Sequence, residues 1–346
     1  MRLDELDYDL PDDLIATRPH EPRDEARLMV VRSASGSIEH HRVRDLPDLL
    51  DPTDLLVRNR SRVLPARLKG HRVDSGGRVS GLFLKELEPG RWLVMLRSNG
   101  RLRAGCSIQL EPGGPILELA EKHGKDWAVS VQSTRSVQDI LASCGRTPLP
   151  PYILRARGET EIDEQQEQDW YQTIYAREPG SVAAPTAGLH FTDELESRLG
   201  DRGIRFLEVV LHVGQGTFLP VTSPTLEDHP MHREDCTVDK PTLDVLMDPG
   251  RTGRIVAVGT TTARVLESLP DQLPAGDWSD STDLMISPPW NWRHVDVLMT
   301  NFHLPRSTLL ALVAARIGLP LMQEAYAVAV ESGYRFYSYG DAMLLL

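Results

Sequence analysis

Short runs of alternating apolar and polar residues mark the middle of the chain. Between about Pro65 and Ser143 they are VSGLFLKEL, RWLVMLR, CSIQLE and WAVSVQ, separated by GG, EPG and EPGG turns. Alternation with a period of two predicts half-buried strands, and glycine and proline clusters predict the turns between them. We therefore expect a small antiparallel β-barrel-like domain over residues 64–148.

On both sides of this segment, buried apolar runs alternate with helical patterns. The predicted strands are Arg27–Arg32, Asp54–Asn59, Phe206–Val213, Arg254–Val258, Val295–Thr300 and Tyr334–Tyr339. The predicted helices are Trp170–Arg177, Asp193–Leu199 after a Thr192 cap, the segment GTTTARVLESL, and Thr308–Ile317 between Ser307 and Gly318. Strands that alternate with helices indicate a mixed α/β domain, residues 1–63 and 149–346, into which the β domain is inserted.

Composition limits the class of protein. The chain has 346 residues, 40% of them hydrophobic, and no apolar run long enough for a membrane span. The acidic start, MRLDELDYDLPDDL, lacks the apolar core of a signal peptide, and the three cysteines do not indicate a disulfide framework. We expect a cytoplasmic protein with no membrane contact.

The charge pattern leaves two interpretations open. A net charge of −12 argues against a general nucleic-acid binder, because phosphate contacts need Lys and Arg. From Leu55 to Val73, however, the chain has six basic residues and no acidic one. This run is a solvated strand face or, if the substrate is a nucleic acid, its binding face.

Three glycine-containing apolar segments each include a histidine: PTAGLHF with His190, LHVGQGTF with His212, and TNFHLP with His303. Histidine transfers protons near neutral pH, and glycine allows a ligand to approach the backbone. Singly, each histidine is better explained as a packed core residue. The repeated pattern predicts that all three line one cavity near strand carboxyl ends.

The segment RIVAVGTTTARVLES predicts a strand, a tight turn and a helix. Free N–H groups at the helix start would bind a carboxylate or phosphate near Gly259, Thr260 and Thr261, with Arg264 one turn later. A turn that binds nothing explains the pattern equally well. The segment HPMHREDC could supply metal ligands, but its spacing is unusual for zinc, and we expect no metal.

Together, several segments closely resemble the S-adenosylmethionine:tRNA ribosyltransferase-isomerase family of queuosine biosynthesis. They occur in one order, from about Tyr8 to Met343: DLLVRNRSRVLPARL, LPPYI, YQTIYAREPGSVAAPTAGLHFT, LHVGQGTFLPV, VAVGTTTARVLES, VDVLMTNFHLPRSTLLALV and YRFYSYGDAM. The resemblance implies a monomer with an inserted β domain and no cofactor beyond S-adenosylmethionine as cosubstrate.

The resemblance also implies a reaction. The ribosyl part of S-adenosylmethionine passes to 7-aminomethyl-7-deazaguanine at the tRNA wobble position, adenine and methionine leave, and epoxyqueuosine forms. The sulfonium acidifies the C5′ protons, so a base can form an ylide, and an acid would help adenine to leave. A carboxylate that faces the sulfonium would add electrostatic stabilisation.

The positions of these motifs indicate candidate residues for each role. We expect catalysis from His190, His212, His303, Asp341 and Glu267. For S-adenosylmethionine binding the candidates are Thr186, Gly188, Gly214, Gly216, Thr217, Gly259, Thr260, Thr261 and Arg264. For the tRNA acceptor they are Asn59, Arg60, Arg62, Arg67, Arg72 and Asn301.

The chain departs from the family pattern in places. The family segment FNNTRV is Arg58–Val63 here, a family Pro-Gly is Pro288-Pro289, and Gly333 replaces a basic or polar residue. These changes leave two alternatives: a related enzyme that modifies a free 7-deazapurine or another small amine, and a non-catalytic RNA-binding protein on the same scaffold.

Overall fold

The computed structural model describes residues 1–158, 162–214, 216 and 223–346. The strands are β1 (Arg27–Arg32), β2 (Ser37–Arg42), β3 (Leu55–Asn59), β4 (Ser61–Val63), β5 (Arg67–Arg72), β6 (Arg78–Glu88), β7 (Arg91–Ser98), β8 (Ser107–Glu111), β9 (Ile116–His123), β10 (Asp126–Val131), β11 (Glu178–Ser181), β12 (Arg205–Leu211), β13 (Glu234–Val238), β14 (Ile255–Val258), β15 (Trp278–Thr282), β16 (Val297–Asn301) and β17 (Ala342–Leu345).

Nine α-helices lie within the described residues. They are α1 (Leu46–Leu49), α2 (Val137–Cys144), α3 (Pro151–Arg157), α4 (Glu164–Trp170), α5 (Asp193–Asp201), α6 (Lys240–Leu246), α7 (Thr260–Glu267), α8 (Thr308–Ile317) and α9 (Leu319–Glu331). A 3₁₀ helix at Thr186–His190 carries the PTAGLHF segment.

A mixed sheet forms the larger domain, with the strand order β15-β13-β12-β3-β14-β16-β17-β1-β2. Strands β12, β3, β14 and β16 are parallel, so their carboxyl ends meet at one edge. We call it the catalytic edge, because the sequence predicts the catalytic residues near strand carboxyl ends. Strand β17 is antiparallel to β16 and places Ala342 opposite Asn301. The segment before β17 therefore arrives at the same edge.

The sheet has a hydrophobic layer on each face. Alternation along β16 puts Leu298 in the layer formed with α6 to α9, and Val297 and Met299 in the layer formed with α1 and α5. By the same alternation, Thr300 belongs to the first face and Asn301 to the second. Side chains at the end of β16 thus approach the catalytic edge from both faces.

The inserted domain is a closed barrel with the order β10-β7-β6-β5-β8-β9. Its core contains Phe83 and Trp92 in an edge-to-face contact, 5.1 Å between ring centroids. Helix α2 begins at the Ser136 cap and contributes Ile140 and Leu141 to this core. The antiparallel barrel and the mixed α/β domain confirm the predicted fold class.

One short segment joins the barrel to the sheet. Leu64 N–H donates to Ser181 O at 2.9 Å, where β4 and β11 pair. Val182 then packs in the barrel core, Ala183 and Ala187 pack in the two layers of the sheet, and Ala184 packs in a fourth cluster with Tyr339. This junction segment, Val182–Ala187, leads directly to His190.

Capping signals located two helices well. Thr192 accepts from Leu195 N–H at the start of α5, and Ser307 accepts from Leu310 N–H at the start of α8, which ends before Gly318. Two other predictions were wrong. The helix predicted at Trp170–Arg177 ends at Trp170, and the strand predicted at Tyr334–Tyr339 is a turn.

The turn before β17 has a specific cause. Tyr337 adopts a φ of 74°, which interrupts an extended strand. Asp341 closes the turn, because its Oδ2 accepts from Arg335 N–H at 2.8 Å while its own N–H donates to Arg335 O. The alternation of Tyr334–Tyr339 therefore reflects packing of aromatic rings and not a sheet position.

In the described part of the chain, no single helix has the length and apolar character needed to cross a membrane. Helices α8 and α9 meet those criteria only as a pair, with a bend of 114° between them.

Candidate active site

Asp341 is the buried carboxylate of the catalytic edge. Its Oδ1 accepts from Arg27 N–H at 2.9 Å and lies 3.1 Å from His20 Nε2, while Oδ2 accepts from Arg335 N–H. Burial alone would raise the pKa of Asp341, but these hydrogen bonds outweigh it and the pKa is lowered. Asp341 is therefore an ionised carboxylate at neutral pH.

His190 lies beside this carboxylate on the α5 face of the sheet. Burial lowers its pKa to about 4, although Asp341 and the Asn301 side chain act in the opposite direction. Neither His190 Nε2 nor Asn301 Oδ1 meets a partner in hydrogen-bonding geometry among the described residues, and both atoms are buried. The Asn301 side chain is nevertheless close enough to His190 to raise its pKa, so the two polar groups lie together at this edge.

The turn after β14 adjoins the same histidine segment. Gly259 has a φ of 90°, and a Cβ added there would lie 3.7 Å from Ala187 Cβ and 3.5 Å from Thr261 Oγ1. Thr261 Oγ1 is buried without a partner in the described residues, and Thr260 begins α7. The helix start predicted to bind an anion therefore faces the His190 segment.

Arg264, which the sequence predicts to bind the cosubstrate one turn after that helix start, is paired inside the protein. Its guanidinium pairs with the buried carboxylate of Glu234 and donates from Nε to Leu284 O at 2.9 Å and from Nη2 to Thr282 O at 3.3 Å. Glu234 Oε1 in turn accepts from Gly214 N–H at 2.8 Å. Arg264 thus acts on the glycine end of β12 through Glu234, a residue that no sequence motif indicated.

The other two histidines have separate environments. His303 Nε2 lies 2.8 Å from Thr300 Oγ1, and the backbone N–H of His303 donates to Tyr326 Oη at 3.0 Å. Burial lowers the pKa of His303 to about 3. Burial also lowers the pKa of His212, whose Nδ1 lacks a partner among the described residues and lies under Gly180. The hydrogen bonds and close contacts of the three imidazoles involve different residues, so one shared cavity stays a prediction.

Glu267 has a structural environment. Its carboxylate accepts from the N–H groups of Arg293, His294 and Val295 at 3.0–3.3 Å and from Trp290 Nε1 at 3.2 Å. It also lies at the C-terminal end of α7, away from the glycine turn. This carboxylate holds a loop at the end of α7 opposite the glycine turn, and because of that position we do not retain Glu267 among the catalytic candidates.

Most of the predicted basic face is already paired. Arg58 is buried, pairs with Glu196 and Glu208, and covers the Tyr175 ring at 3.9 Å. Arg60 lies 3.5–3.7 Å from Glu178, Glu208 and Asp239.

The remaining acceptor candidates differ in exposure. The Asn59 side chain donates from Nδ2 to Leu211 O and accepts at Oδ1 from Leu211 N–H, each at 3.0 Å. Arg72 pairs with Asp74, Arg67 is half-buried, and Arg62 is exposed.

Glycines in the predicted S-adenosylmethionine site pack closely against side chains. A Cβ at Gly188 would lie 1.9 Å from Tyr175 Oη, and one at Gly216 would lie 2.5 Å from the His232 ring. Thr186 begins the 3₁₀ helix, whereas Thr217 lies outside the described residues. No group of three His, Cys, Asp or Glu side chains suited to a metal ion occurs among the residues the structure describes.

Comparisons with known proteins show which family the chain resembles. Residues 3–345 match the family model described as queuosine biosynthesis protein. The chain is 49% identical to the S-adenosylmethionine:tRNA ribosyltransferase-isomerase of Rubrobacter xylanophilus, over 100% of this chain and 98% of that protein. It is 45% identical to the enzyme of the same name from Thermotoga petrophila, over the full length of both.

A solved structure is similar as well. The crystal structure of S-adenosylmethionine tRNA ribosyltransferase from Thermotoga maritima covers 99% of this chain, with a TM-score of 0.56 and 35% identity. Sequence similarity and fold similarity both extend over the barrel and the sheet. The chain therefore belongs to the queuosine biosynthesis protein family.

Proposed function

We propose that this protein is an S-adenosylmethionine-dependent tRNA ribosyltransferase-isomerase. It transfers and isomerises the ribosyl moiety of S-adenosylmethionine onto 7-aminomethyl-7-deazaguanine at the tRNA wobble position. Epoxyqueuosine tRNA forms, and adenine and methionine are released. The enzyme acts in the cytoplasm as a monomer and uses no metal. The observation that carries this proposal is full-length identity of 49% to an enzyme of that name.

Asp341 supplies the negative charge for the sulfonium in this proposal. Its lowered pKa keeps the carboxylate ionised, and its burial strengthens an electrostatic interaction with a cation. Deprotonation at C5′ gives an ylide that this charged environment accommodates. The ylide electrons break the C4′–O4′ bond, O4′ becomes the C1′ carbonyl oxygen, and protonated adenine leaves from C1′. The aminomethyl nitrogen adds to C4′ and loses a proton, the restored C5′ ylide bonds to C1′, and the C1′ alkoxide displaces methionine from C5′ to close the epoxide.

His190 and Asn301 bind the leaving base in this proposal. The lowered pKa of His190 makes its imidazole neutral at pH 7, so it forms hydrogen bonds without carrying charge. Asn301 Oδ1 accepts a hydrogen bond, while Asn301 Nδ2 is held by Tyr337 O at 2.8 Å. A fixed amide and a neutral imidazole suit the donor and acceptor groups of an adenine edge.

The start of α7 takes the methionine carboxylate. Its free N–H groups and the unpartnered Thr261 Oγ1 supply donors close to the His190 segment. Gly214, whose N–H donates to Glu234, follows the carboxyl end of β12. In the sheet, β3 lies between β12 and β14. The two glycine turns therefore flank the cosubstrate.

An adenine-release assay tests the proposal. Purified protein is incubated with S-adenosylmethionine and tRNA that carries the aminomethyl base, and nucleosides are analysed by mass spectrometry. We expect stoichiometric adenine and epoxyqueuosine, and no release with tRNA that has guanine at the wobble position. Release with the free 7-deazapurine but not with tRNA would show that the acceptor is a small molecule. RNA binding without any adenine would contradict the enzymatic proposal.

A further inference from the structure

The two domains carry opposite charge. Residues 64–148 contain 13 Lys and Arg against 8 Asp and Glu, a formal charge of +5. The rest of the chain contains 25 Lys and Arg against 42 Asp and Glu, a formal charge of −17. The net acidity of the protein therefore belongs to the sheet domain, and the barrel is the basic part.

The positive charge of the barrel gathers at one end. The hairpin register places Ser80 of β6 opposite Arg97 of β7, and Arg78 lies two residues from Ser80 on the same outward face. The loop after β7 carries Arg101 and Arg103, which are also exposed. We call Arg78, Arg97, Arg101 and Arg103 the distal arginine patch.

These four arginines have no acidic partner among the described residues. Within the part of the chain that the structure describes, none of the four forms an ion pair or a side-chain hydrogen bond. By contrast, Arg58, Arg60 and Arg264 are all paired with carboxylates. An unpaired exposed guanidinium can bind phosphate without first breaking an ion pair.

The patch lies away from the catalytic edge. The end of the barrel next to the sheet is marked by Leu64, whose N–H donates to Ser181 O at 2.9 Å, and Arg67 begins β5 three residues later. Five residues of β5 separate Arg67 from Arg72, roughly 17 Å along the strand. Gly100, in the loop with Arg101, lies beside the Arg72 guanidinium. A ligand that spans both regions must be a macromolecule.

The surface chemistry favours a phosphate backbone over stacked bases. Among the described residues, the exposed large apolar side chains are Val73, Leu87, Leu154 and Ile174, and none is aromatic. Proteins that bind single-stranded bases usually present aromatic rings, whereas contacts to a folded stem rely on Arg and Lys.

We propose that the distal arginine patch binds the phosphate backbone of the tRNA while the wobble base occupies the catalytic edge. This inference rests on the proposed function, because it names the surface that holds the tRNA acceptor. The barrel is then an RNA-docking module, and the acidic sheet domain carries the chemistry. In this proposal the distal arginine patch takes the place of the segment Arg58–Arg72 as the main nucleic-acid surface.

Salt-dependent binding tests the inference. The triple variant Arg97→Ala, Arg101→Ala, Arg103→Ala and the unaltered protein are titrated with labelled tRNA by fluorescence anisotropy at several KCl concentrations. Each lost phosphate contact lowers the slope of log K against log[salt] by about 0.7–0.9, so we expect a decrease of roughly 2–3. If the affinities are equal near 1 M salt, this change in slope lowers the affinity roughly a hundredfold or more at 0.1 M, while kcat at saturating tRNA stays unchanged.

Two matched variants separate phosphate contact from other effects. Arg198, Arg202 and Arg205 lie at the opposite, amino edge of the sheet, and their triple Ala variant removes the same charge. It should bind tRNA normally. Replacing the three patch residues with Lys should keep most of the slope. Thermal unfolding and calorimetric binding of S-adenosylmethionine confirm that each variant is folded.

An unchanged slope in the patch variant would overturn the inference, as would an equal loss in the amino-edge variant, which would mean that net charge alone matters. Failure of the proposed function is distinct from either result. In that case the unaltered protein would release no adenine with modified tRNA, whatever the salt slope of the patch variant.

Discussion

Glu234 Oε1 accepts a hydrogen bond from Gly214 N–H at 2.8 Å, and the other oxygen of the same carboxylate pairs with Arg264. This carboxylate therefore links helix α7 to the carboxyl end of β12. All three residues are adjacent to the proposed S-adenosylmethionine site, and Glu234 and Arg264 are buried. The relationship makes Glu234 a positioning residue whose effect on the cosubstrate passes through Gly214.

A double-mutant cycle tests this link. Glu234→Gln keeps an oxygen for Gly214 but leaves Arg264 without a counter-charge, and Arg264→Gln leaves Glu234 unpaired. Breaking a buried pair from one side costs about 3–5 kcal/mol, so each single variant should lose stability and cosubstrate affinity. The double variant should lose less than the sum, with a coupling energy of at least about 1 kcal/mol by chemical denaturation. Additive losses would show that the pair is not coupled.

Asp341→Asn tests the carboxylate of the catalytic edge. Asn has one oxygen where Asp has two, and its NH₂ group cannot accept a hydrogen bond. The backbone N–H of Arg27 or of Arg335 therefore loses its acceptor, at a cost of about 1–3 kcal/mol. Adenine release should fall at least about a hundredfold, because the charge opposite the sulfonium is gone. His20→Ala is the control, since it removes one contact of Asp341 and keeps its charge. Near-normal turnover in the Asn variant would contradict the proposed role.

The same carboxylate predicts an acid limit of stability. The pKa of Asp341 is lower in the folded protein than in the unfolded chain, so its stabilisation is present above its ordinary value, near 4. It is lost as pH falls through the lower folded value. The difference in unfolding free energy between the unaltered protein and Asp341→Asn should therefore shrink below about pH 4. A constant difference between pH 7 and pH 3 would argue against an ionised Asp341.

His190 predicts a second pH effect, with its own window. Its pKa is about 4 in the folded protein and about 6.5 in the unfolded chain. The unfolded chain binds the proton first, so this histidine destabilises the fold increasingly as pH falls from 6.5 towards 4. The loss attributable to it is about 2 kcal/mol at pH 5. His190→Gln should flatten the pH dependence of urea unfolding by that amount, and an unchanged profile would mean that His190 is not neutral and buried.

Glu267→Gln distinguishes a structural carboxylate from a catalytic one. The amide nitrogen would face a donor, either Trp290 Nε1 or the N–H groups of Arg293–Val295. We expect a loss of about 1–3 kcal/mol in unfolding free energy and a kcat within a few-fold of normal at temperatures where the variant is folded. A hundredfold fall in kcat with unchanged stability would return Glu267 to the catalytic set.

Local signals predicted the elements whose causes are local. Ser307 and Gly318 determine the ends of α8, and the alternating runs with glycine turns determine the barrel hairpins. The aromatic alternation at Tyr334–Tyr339 led to the wrong prediction of a strand. The positive φ of Tyr337 and the hydrogen bonds of Asp341 prevent a strand there, and both depend on partners far away in the chain.

Sequence motifs indicate candidate residues that lie at the catalytic edge, but they do not indicate which side chains pair with one another there. Asp341 and Asn301 lie in recognisable segments and meet at the edge through the β16–β17 register. Glu234 is 20 residues from Gly214, and only the fold brings the two together. Likewise, a run of arginines gives no sign of which ones already have acidic partners. Arg58 is buried and does not contribute to the surface, because it pairs with Glu196 and Glu208, which come from other elements of the fold.

The junction segment Val182–Ala187 gives the barrel a mechanical connection to the chemistry. Its side chains are wedged into four separate hydrophobic clusters, and close-packed interiors transmit displacement instead of absorbing it. The same short segment packs in the barrel core and in both layers of the sheet, so a change in the orientation of the barrel would displace the backbone that leads to His190.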